Sequence, residues 1–326
     1  NEDQISSYDF LYKPIIKEDR LWFFDNDPLD VMILLVLYSN CGKCIPVWMD
    51  LSYVNVQNQF FHSSKDLMIK LYDILGYSYG AKSIDDKIKM LNNKLQISLS
   101  GITLANPIIP ASGTYGFGDE FAELYDINCL GGISFKGTTR EARYGNPLPR
   151  IAECGNYGMI NAVGLQNPGV EHVIAHELPR LKSHYNGCIV ANVSGFSVQD
   201  YVETCALLDK EPIDILEVNI SCPNVHNGGM AFGTSPEAAA EVTAAVKAVT
   251  TKPVYLKLSP NVTDIVAIAK ACEAAGADGL CLINTVLGMR IDIRRRRPVI
   301  ANRYGGYSGS GIFPLALRMV NQVARA

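Results

Sequence analysis

The residues best suited to chemistry lie in the stretch 217–225, EVNISCPNV, where an apolar strand runs into a polar loop. Residues 213–218 are mostly apolar and β-branched, which is typical of a buried parallel strand. Pro223 cannot donate a hydrogen bond to a strand ladder, so the chain leaves the sheet there. The thiol of Cys222 and the carboxamides of Asn219 and Asn224 are therefore predicted at the carboxyl end of a strand, where α/β folds place their chemistry.

Polar residues end five further predicted strands in the same way. The predicted strands are 107–112, 132–136, 188–193, 213–219, 254–258 and 279–284. Two lysines, several carboxamides and the thiol would meet at one face of a barrel and form one pocket. Amides both donate and accept hydrogen bonds and lysine supplies charge, so the pocket suits a flat anionic ligand with carbonyl and imide edges. No histidine or carboxylate belongs to this set, which argues against metal-dependent hydrolysis.

Each of these residues also has a purely structural explanation. A lone cysteine is often a small buried hydrophobe, a strand-end lysine can reach solvent, and asparagine is common in turns. Their conjunction at six strand ends favours the binding interpretation. The loop 161–169, NAVGLQNPG, adds adaptable residues and amides, as is typical of a loop that covers a ligand.

Helices are predicted between several of the strands, at 198–208, 236–249, 265–275 and 314–326. Repeated βα units of this size predict an α/β fold with a parallel sheet, either a (β/α)₈ TIM barrel or a doubly wound sheet. No G-x-G-x-x-G motif follows a predicted strand, which argues against a dinucleotide-binding doubly wound fold. We therefore expect the barrel.

Composition excludes several classes of protein. The net charge of −4 implies no general attraction to nucleic acid or to an anionic membrane. Nine scattered cysteines, an odd number, do not resemble a disulfide framework and suggest a reducing cytoplasm. The longest apolar run, 31–38, is shorter than the roughly 20 residues that a membrane helix needs.

A change of composition predicts a domain boundary near residue 90. Residues 1–89 contain both tryptophans but only three of the 27 glycines, and the first residue is not methionine, which suggests a fragment or a fusion. We expect an N-terminal segment of unknown fold over 1–89, with a strand at 31–38 and a helix at 63–75, and the barrel over 90–326. Cys41 and Cys44 are either a redox motif or an incidental pair, and His62 alone does not complete a zinc site.

Residues from about 95 to 326 resemble the catalytic subunit of class 1 dihydroorotate dehydrogenases. The resemblance is carried by 106–113 (NPIIPASG), 135–139 (FKGTT), 145–150 (GNPLPR), 161–169, 219–224 (NISCPN) and 284–285 (NT). It implies an FMN-dependent barrel that oxidises dihydroorotate to orotate in pyrimidine (UMP) biosynthesis. The stretches 224–229 (NVHNGG) and 305–309 (GGYSG) resemble class 1B, which implies a homodimer of catalytic subunits and a partner subunit, carrying FAD and an iron–sulfur cluster, that passes electrons to NAD.

The resemblance also implies a role for each matched residue. Cys222 would take a proton from C5 of dihydroorotate while hydride leaves C6 for FMN. The residues implied to hold the substrate are Lys136, Asn161, Gly164, Leu165, Asn219, Asn224, Asn284 and Thr285. The residues implied to contact FMN are Ala111, Ser112, Gly113, Lys136, Thr138, Asn192, Asn219, Lys257 and Gly309. Lys257 would lie where the flavin gains negative charge on reduction. No metal site is implied.

Departures from the family leave other interpretations open. Six barrel strands are predicted, so the barrel is expected to be truncated after strand six, without the phosphate loops of strands seven and eight. Such a chain is expected to bind FMN poorly or not at all unless the missing tail is supplied. The alternatives are a flavoenzyme of the dihydropyrimidine dehydrogenase type and an inactive fragment that acts only as an interaction module. The arginine-rich stretch 290–303 is either a solvated loop or a contact for a partner or a phosphate.

Overall fold

The computed structural model describes residues 32–38, 44–50, 95–155, 158–221 and 232–326, the first two ranges by their backbone pairing. Its strands are β1 (Met32–Tyr38), β2 (Cys44–Asp50), β3 (Ile97–Leu99), β4 (Ile102–Leu104), β5 (Ile109–Pro110), β6 (Gly132–Ser134), β7 (Ile151–Glu153), β8 (Met159–Asn161), β9 (Cys188–Val193), β10 (Ile215–Asn219), β11 (Val254–Lys257), β12 (Gly279–Cys281), β13 (Val286–Met289), β14 (Ile291–Asp292), β15 (Arg297–Pro298) and β16 (Tyr304–Ser308). Its α-helices are α1 (Asp119–Ala122), α2 (Val170–His172), α3 (Leu178–His184), α4 (Val198–Leu208), α5 (Pro236–Lys247), α6 (Ile265–Ala274) and α7 (Phe313–Arg325), and a π-helical segment (Val173–Glu177) joins α2 to α3.

A curled parallel sheet forms the centre of the fold, with its strands in the order β12-β11-β10-β9-β6. Strands β9 and β10 are buried along their whole length, because both faces of the sheet are covered. Two of the helices between the strands begin at standard N-cap residues. Ser197 caps α4 in a capping box, and Ser235 caps α5, with Pro236 at the first helical position. The predicted α/β fold with a parallel sheet is confirmed, and the curl of the sheet fits a barrel.

Side chains alternate across the parallel sheet. On β10, Leu216 and Val218 belong to the large core cluster packed beneath the helices, whereas Ile215 belongs to a second cluster on the inner face of the sheet. The β3–β4 hairpin supplies Leu99 and Leu104 to this inner cluster. The inside of the sheet is therefore apolar at the amino ends of the strands, which leaves the carboxyl ends for polar groups.

A second sheet, antiparallel and in the order β13-β16-β8-β7, was not predicted. Its strands are only three to five residues long, and β16 (YGGYS) is rich in glycine, so they lack the sustained apolar alternation that marks a strand. Strand β16 pairs with β8 across more than 140 positions of sequence, with Gly306 opposite Asn161. This sheet brings the loop 161–169 to the carboxyl ends of the parallel strands.

Most predicted elements are confirmed, with corrections at their ends. Strand β9 and helix α4 match their predicted ranges. The strand predicted at 107–112 is shorter in the structure and covers only Ile109–Pro110, because the flanking residues lie in loops. The predicted strand 279–284 ends at Cys281, although Asn284 N still donates to Leu258 O of the neighbouring chain segment at 3.0 Å. The helical stretch 170–184 was missed.

The N-terminal part contains an antiparallel hairpin. Strand β1 pairs with β2 from Met32 opposite Asp50 to Tyr38 opposite Cys44, and β1 also pairs antiparallel with β5. The strand predicted at 31–38 is thus confirmed, while its partner was not predicted. The predicted helix 63–75 and Cys41 lie outside the described residues, and the boundary near residue 90 stays a prediction.

Candidate active site

A cavity of about 300 Å³ lies at the carboxyl ends of the parallel strands, between the parallel and the antiparallel sheet. Its lining is Ser112, Gly113, Thr114, Lys136, Gly137, Ile151, Met159, Asn161, Val163, Gly164, Leu165, Asn192, Asn219, Lys257, Asn284, Thr285 and Ser308. The lining therefore combines two lysines with four asparagines, and, among the described residues, it holds no histidine and no carboxylate. This agrees with the pocket chemistry that the sequence predicts.

Strand register brings the buried polar residues together. Asn219 at the end of β10 lies opposite Lys257 of β11, and Glu217 lies opposite Asn192 of β9. Lys257 is only 4% exposed and donates a hydrogen bond to Ser112 Oγ at 3.2 Å. Because parallel strands in register place equivalent side chains on one level, residues far apart in sequence become neighbours.

A chain of amide and hydroxyl hydrogen bonds orients the wall around Asn219. Its Oδ1 accepts from Ser221 Oγ at 2.9 Å and from Asn284 Nδ2 at 3.2 Å, and its Nδ2 donates to Ser194 Oγ at 3.3 Å. Asn284 Oδ1 in turn accepts from Thr285 N at 2.8 Å. These contacts orient both amides before any ligand binds, as precise recognition requires.

One buried amide organises the loop 161–169. Asn167 Oδ1 accepts from Thr139 N at 3.2 Å and from Gly169 N at 2.9 Å. Its Nδ2 donates to Thr139 Oγ1 and to Leu165 O, both at 2.8 Å. Leu165 adopts φ 59°, a conformation that is uncommon for a residue with a side chain and that clusters at functional sites. The loop is thus held in a defined shape against the cavity.

Glu217 is the polar residue that sequence reasoning missed. It is fully buried on β10, and its Oε2 accepts hydrogen bonds from Ser134 Oγ at 3.2 Å and from Asn192 Nδ2. Lys257 Nζ lies 3.9 Å from the same oxygen. Strand alternation offered a signal, because Glu217 shares the inner face with Asn219 two residues later. The polar residues predicted at the strand ends included no carboxylate. The described cavity lining agrees with this, but the carboxylate of Glu217 lies directly beneath the lining.

The structure brings most of the predicted site residues to this cavity. Those that line it are Ser112, Gly113, Lys136, Asn161, Gly164, Leu165, Asn192, Asn219, Lys257, Asn284 and Thr285. Ala111, Thr138 and Gly309 do not line it, although each is adjacent in sequence to a residue that does. Cys222 and Asn224 lie outside the described residues. Ile151, Met159 and Ser308 line the cavity without having been predicted, because they reach it through the antiparallel sheet.

Three buried cysteines, Cys188, Cys205 and Cys272, are not suited to proton transfer. Burial, with a contribution from Asp214, raises the pKa of Cys188 to about 12. Burial raises the pKa of Cys272 to about 11, and burial together with Asp209 raises the pKa of Cys205 further. No disulfide joins the described cysteines, and in the same part of the chain no cluster of His, Cys, Asp and Glu would hold a metal ion. No helix within the described ranges is long and apolar enough to cross a bilayer.

Comparison with known proteins agrees with this geometry. A family model described as dihydroorotate dehydrogenase matches residues 94–326. The chain is 56% identical over 236 residues, 72% of its own length and 75% of the relative's, to the dihydroorotate dehydrogenase B (NAD(+)) catalytic subunit of Enterococcus faecalis. It is 58% identical over 233 residues, 71% of its own length and 76% of the relative's, to the protein of that name from Shouchella clausii. The family predicted from the motifs is confirmed: the chain belongs to the dihydroorotate dehydrogenase family.

Proposed function

We propose that this chain oxidises dihydroorotate to orotate in pyrimidine biosynthesis, as the names of its relatives suggest. The observation that carries the proposal is the cavity of lysines and asparagines at the carboxyl ends of the strands. A planar anionic ring with carbonyl and N–H edges matches it, because amides serve both edges and an ammonium group attracts a carboxylate. The described lining contains no carboxylate that would repel this substrate.

The residues present fit FMN as the cofactor. Within the described part of the chain, Asn192 Oδ1 is buried and has no hydrogen-bond partner, so it can accept from an N–H of a flavin ring. Lys257 supplies a buried positive charge, which favours the charge that a flavin gains on reduction. Ser112 and Gly113, with Gly113 at φ 87°, would let the backbone approach the ring closely. A bound FMN supplies the acceptor for the hydride that leaves C6 of dihydroorotate.

The side chains of this protein would perform three tasks. Asn219, Asn284 and Thr285, held by mutual hydrogen bonds, would orient the substrate ring. Lys136, together with Asn161, Gly164 and Leu165 on the opposite wall, would hold the substrate carboxylate and cover the ring. Cys222 would remove the C5 proton as its thiolate, so that one proton and one hydride leave the substrate together. Asn224 would complete the substrate contacts.

We also propose that electrons pass to NAD through a partner subunit with FAD and an iron–sulfur cluster, in a cytoplasmic assembly built on a homodimer of this chain. Exposed apolar side chains support a docking surface, namely Leu287, Met289 and Tyr304 on the antiparallel sheet and Ile291 and Ile293 in the adjoining β14–β15 hairpin. The arginines of 294–296 lie exposed in the turn between β14 and β15, beside this surface. Rim charges of this kind guide partner association more than they strengthen it.

The proposal is tested by flavin content and by bleaching of the flavin on addition of dihydroorotate. We expect dihydroorotate to bleach the flavin and dihydrouracil, which lacks the carboxylate, to do so at least about 100-fold more slowly. Cys222→Ser should retain the flavin and lose about 100-fold or more of the bleaching rate near neutral pH, because a hydroxyl is a far weaker base catalyst than a thiolate.

Three results would contradict the assignment. Unchanged bleaching by Cys222→Ser would remove Cys222 as the base. Faster bleaching by dihydrouracil would favour the dihydropyrimidine dehydrogenase type of activity. A folded protein that binds no FMN at any concentration would favour an interaction module without catalysis.

A further inference from the structure

Glu217 is a buried acid that the proposed reaction does not use. It is fully buried, and its Oε1 has no hydrogen-bond partner among the described residues. A carboxylate in such a place is costly unless donors and an opposite charge compensate it. Ser134, Asn192 and Lys257 all direct donor groups at Oε2, so the charged form is the one that the surroundings accommodate.

The carboxylate determines how the Asn192 amide faces the cavity. An ionised carboxylate only accepts hydrogen bonds, so Asn192 must turn its Nδ2 toward Glu217. Asn192 Oδ1 is then turned the other way, toward the backbone of Gly137, where an added Cβ would come within 2.8 Å of this oxygen. Gly137 and Asn192 both line the cavity. Glu217 thereby makes Asn192 an acceptor, rather than a donor, for a bound ring.

The same carboxylate balances the charge of Lys257. Their side chains are 0% and 5% exposed, and 3.9 Å separates Lys257 Nζ from Glu217 Oε2. Opposite charges at this distance interact strongly when water is excluded. Lys257 also donates to Ser112 Oγ of the cavity wall, so its ammonium group lies between the carboxylate and the ligand space.

We propose that Glu217 is a positioning residue that determines the affinity of the pocket for reduced relative to oxidised flavin. It keeps the Asn192 acceptor turned toward the ring, and it offsets part of the positive charge that Lys257 presents. This proposal rests on the proposed function, because the ligand is the flavin. Reduction adds negative charge to the ring, so a nearby carboxylate opposes excessively tight binding of the reduced form and favours onward electron transfer.

The decisive variant is Glu217→Gln, which keeps the size of the side chain and removes its charge. We expect the affinity for reduced FMN, relative to oxidised FMN, to rise about tenfold, which is a positive shift of about 30 mV for a two-electron couple. The two dissociation constants are measured by anaerobic and aerobic titration, and the potential is measured against a reference dye. An unchanged or lowered ratio would overturn the proposal.

Ser134→Ala is the matched control. It removes one hydrogen bond to the same Oε2 atom but keeps the charge and the Asn192 contact. The ratio of affinities should stay within about twofold of the wild-type value, since the charge of Glu217 and its contact with Asn192 remain in place. A shift as large as that of Glu217→Gln would mean that packing, and not charge, sets the ratio.

Two further measurements keep the proposal open to refutation. Glu217→Asp keeps the charge but moves the carboxylate away from Asn192. The affinities for oxidised and reduced FMN should therefore weaken in parallel. Unchanged affinities would count against the orienting role, and this test remains available if Glu217→Gln does not fold.

The second measurement uses flavin-free protein. The side-chain amide resonance of Asn192, which is assigned by its loss in Asn192→Asp, should change its chemical shift in Glu217→Gln. No movement would refute the orienting role, whereas failure of wild-type protein to bind FMN would refute the proposed function instead.

Discussion

At the scale of single residues, the site combines amide groups that are hydrogen-bonded by the protein with one buried amide oxygen, Asn192 Oδ1, that has no partner among the described residues. Asn219 and Asn167 have their amide groups satisfied by protein partners, which makes them rigid. Asn192 Oδ1 is buried without a partner in the described part of the chain. A buried polar atom left unpaired costs free energy that a ligand can recover on binding. We therefore expect Asn192 Oδ1 to accept a hydrogen bond from an N–H group of the ligand.

Gly137→Ala should disturb this acceptor selectively. A Cβ at position 137 would lie 2.8 Å from Asn192 Oδ1 and 3.3 Å from Ser194 Oγ. The overpacking should lower the free energy of unfolding by about 1–3 kcal/mol, and displacement of the amide should weaken FMN binding by about tenfold or more. Thermal unfolding and flavin titration measure the two effects.

Gly288→Ala is its control, because a Cβ there meets only Tyr307 at an ordinary contact distance of 3.4 Å. This variant should bind FMN like the wild type. If both variants lost the same FMN affinity, the contact between position 137 and Asn192 would not be what weakens FMN binding.

At the scale of elements, the cavity is made by the loop 161–169 as much as by the strands. Asn167 ties the second half of this loop to Thr139, which follows β6. The positive φ angles of Gly164 and Leu165 point their segment at the cavity. A Cβ at Gly164 would come within 2.5 Å of the Asn146 side chain, so glycine is required there by space as well as by conformation.

Asn167→Ala should release this loop. Thr139 N and Gly169 N would lose their buried acceptor, which should cost about 2–4 kcal/mol of unfolding free energy. Orotate binding should weaken by about tenfold, since Gly164 and Leu165 would no longer be held in place. Denaturant unfolding and orotate titration measure these effects.

The neighbouring Gln166→Ala is the matched control. Gln166 is exposed and its Oε1 accepts from Arg150 outside the loop core. The change should cost less than about 0.5 kcal/mol and leave orotate affinity unchanged. If both variants behaved alike, the amide network of Asn167 would not be what shapes the loop.

At the scale of the whole molecule, two sheets of different type share one cavity. The parallel strands contribute Asn192, Asn219 and Lys257, and the antiparallel sheet contributes Met159 and Ser308. Neither sheet encloses the space alone. A ligand that fills the cavity should therefore contact both sheets, and its binding should stabilise both.

Hydrogen exchange tests this coupling. Orotate at about 100 times its dissociation constant should add about 2.7 kcal/mol to stability and slow globally exchanging amides about 100-fold. We expect protection in β10 and β11 and, at the same time, in β8 and β16, with dihydrouracil as the control ligand. Protection restricted to one sheet would mean that the ligand does not bridge them.

The sequence by itself determined the elements of the parallel sheet, the polar residues at their carboxyl ends and the family. Local periodicity and short motifs specify these features, because strand, helix and turn preferences act over a few residues. Only the tertiary structure decided that β16 pairs with β8, that Ile151, Met159 and Ser308 reach the cavity, and that Glu217 accepts from Asn192 beside Lys257. These contacts join residues 25 to 149 positions apart, from the pair Asn192 and Glu217 to the pair Met159 and Ser308. No local pattern encodes such separations; they arise when strands align in register and bury their inner faces together.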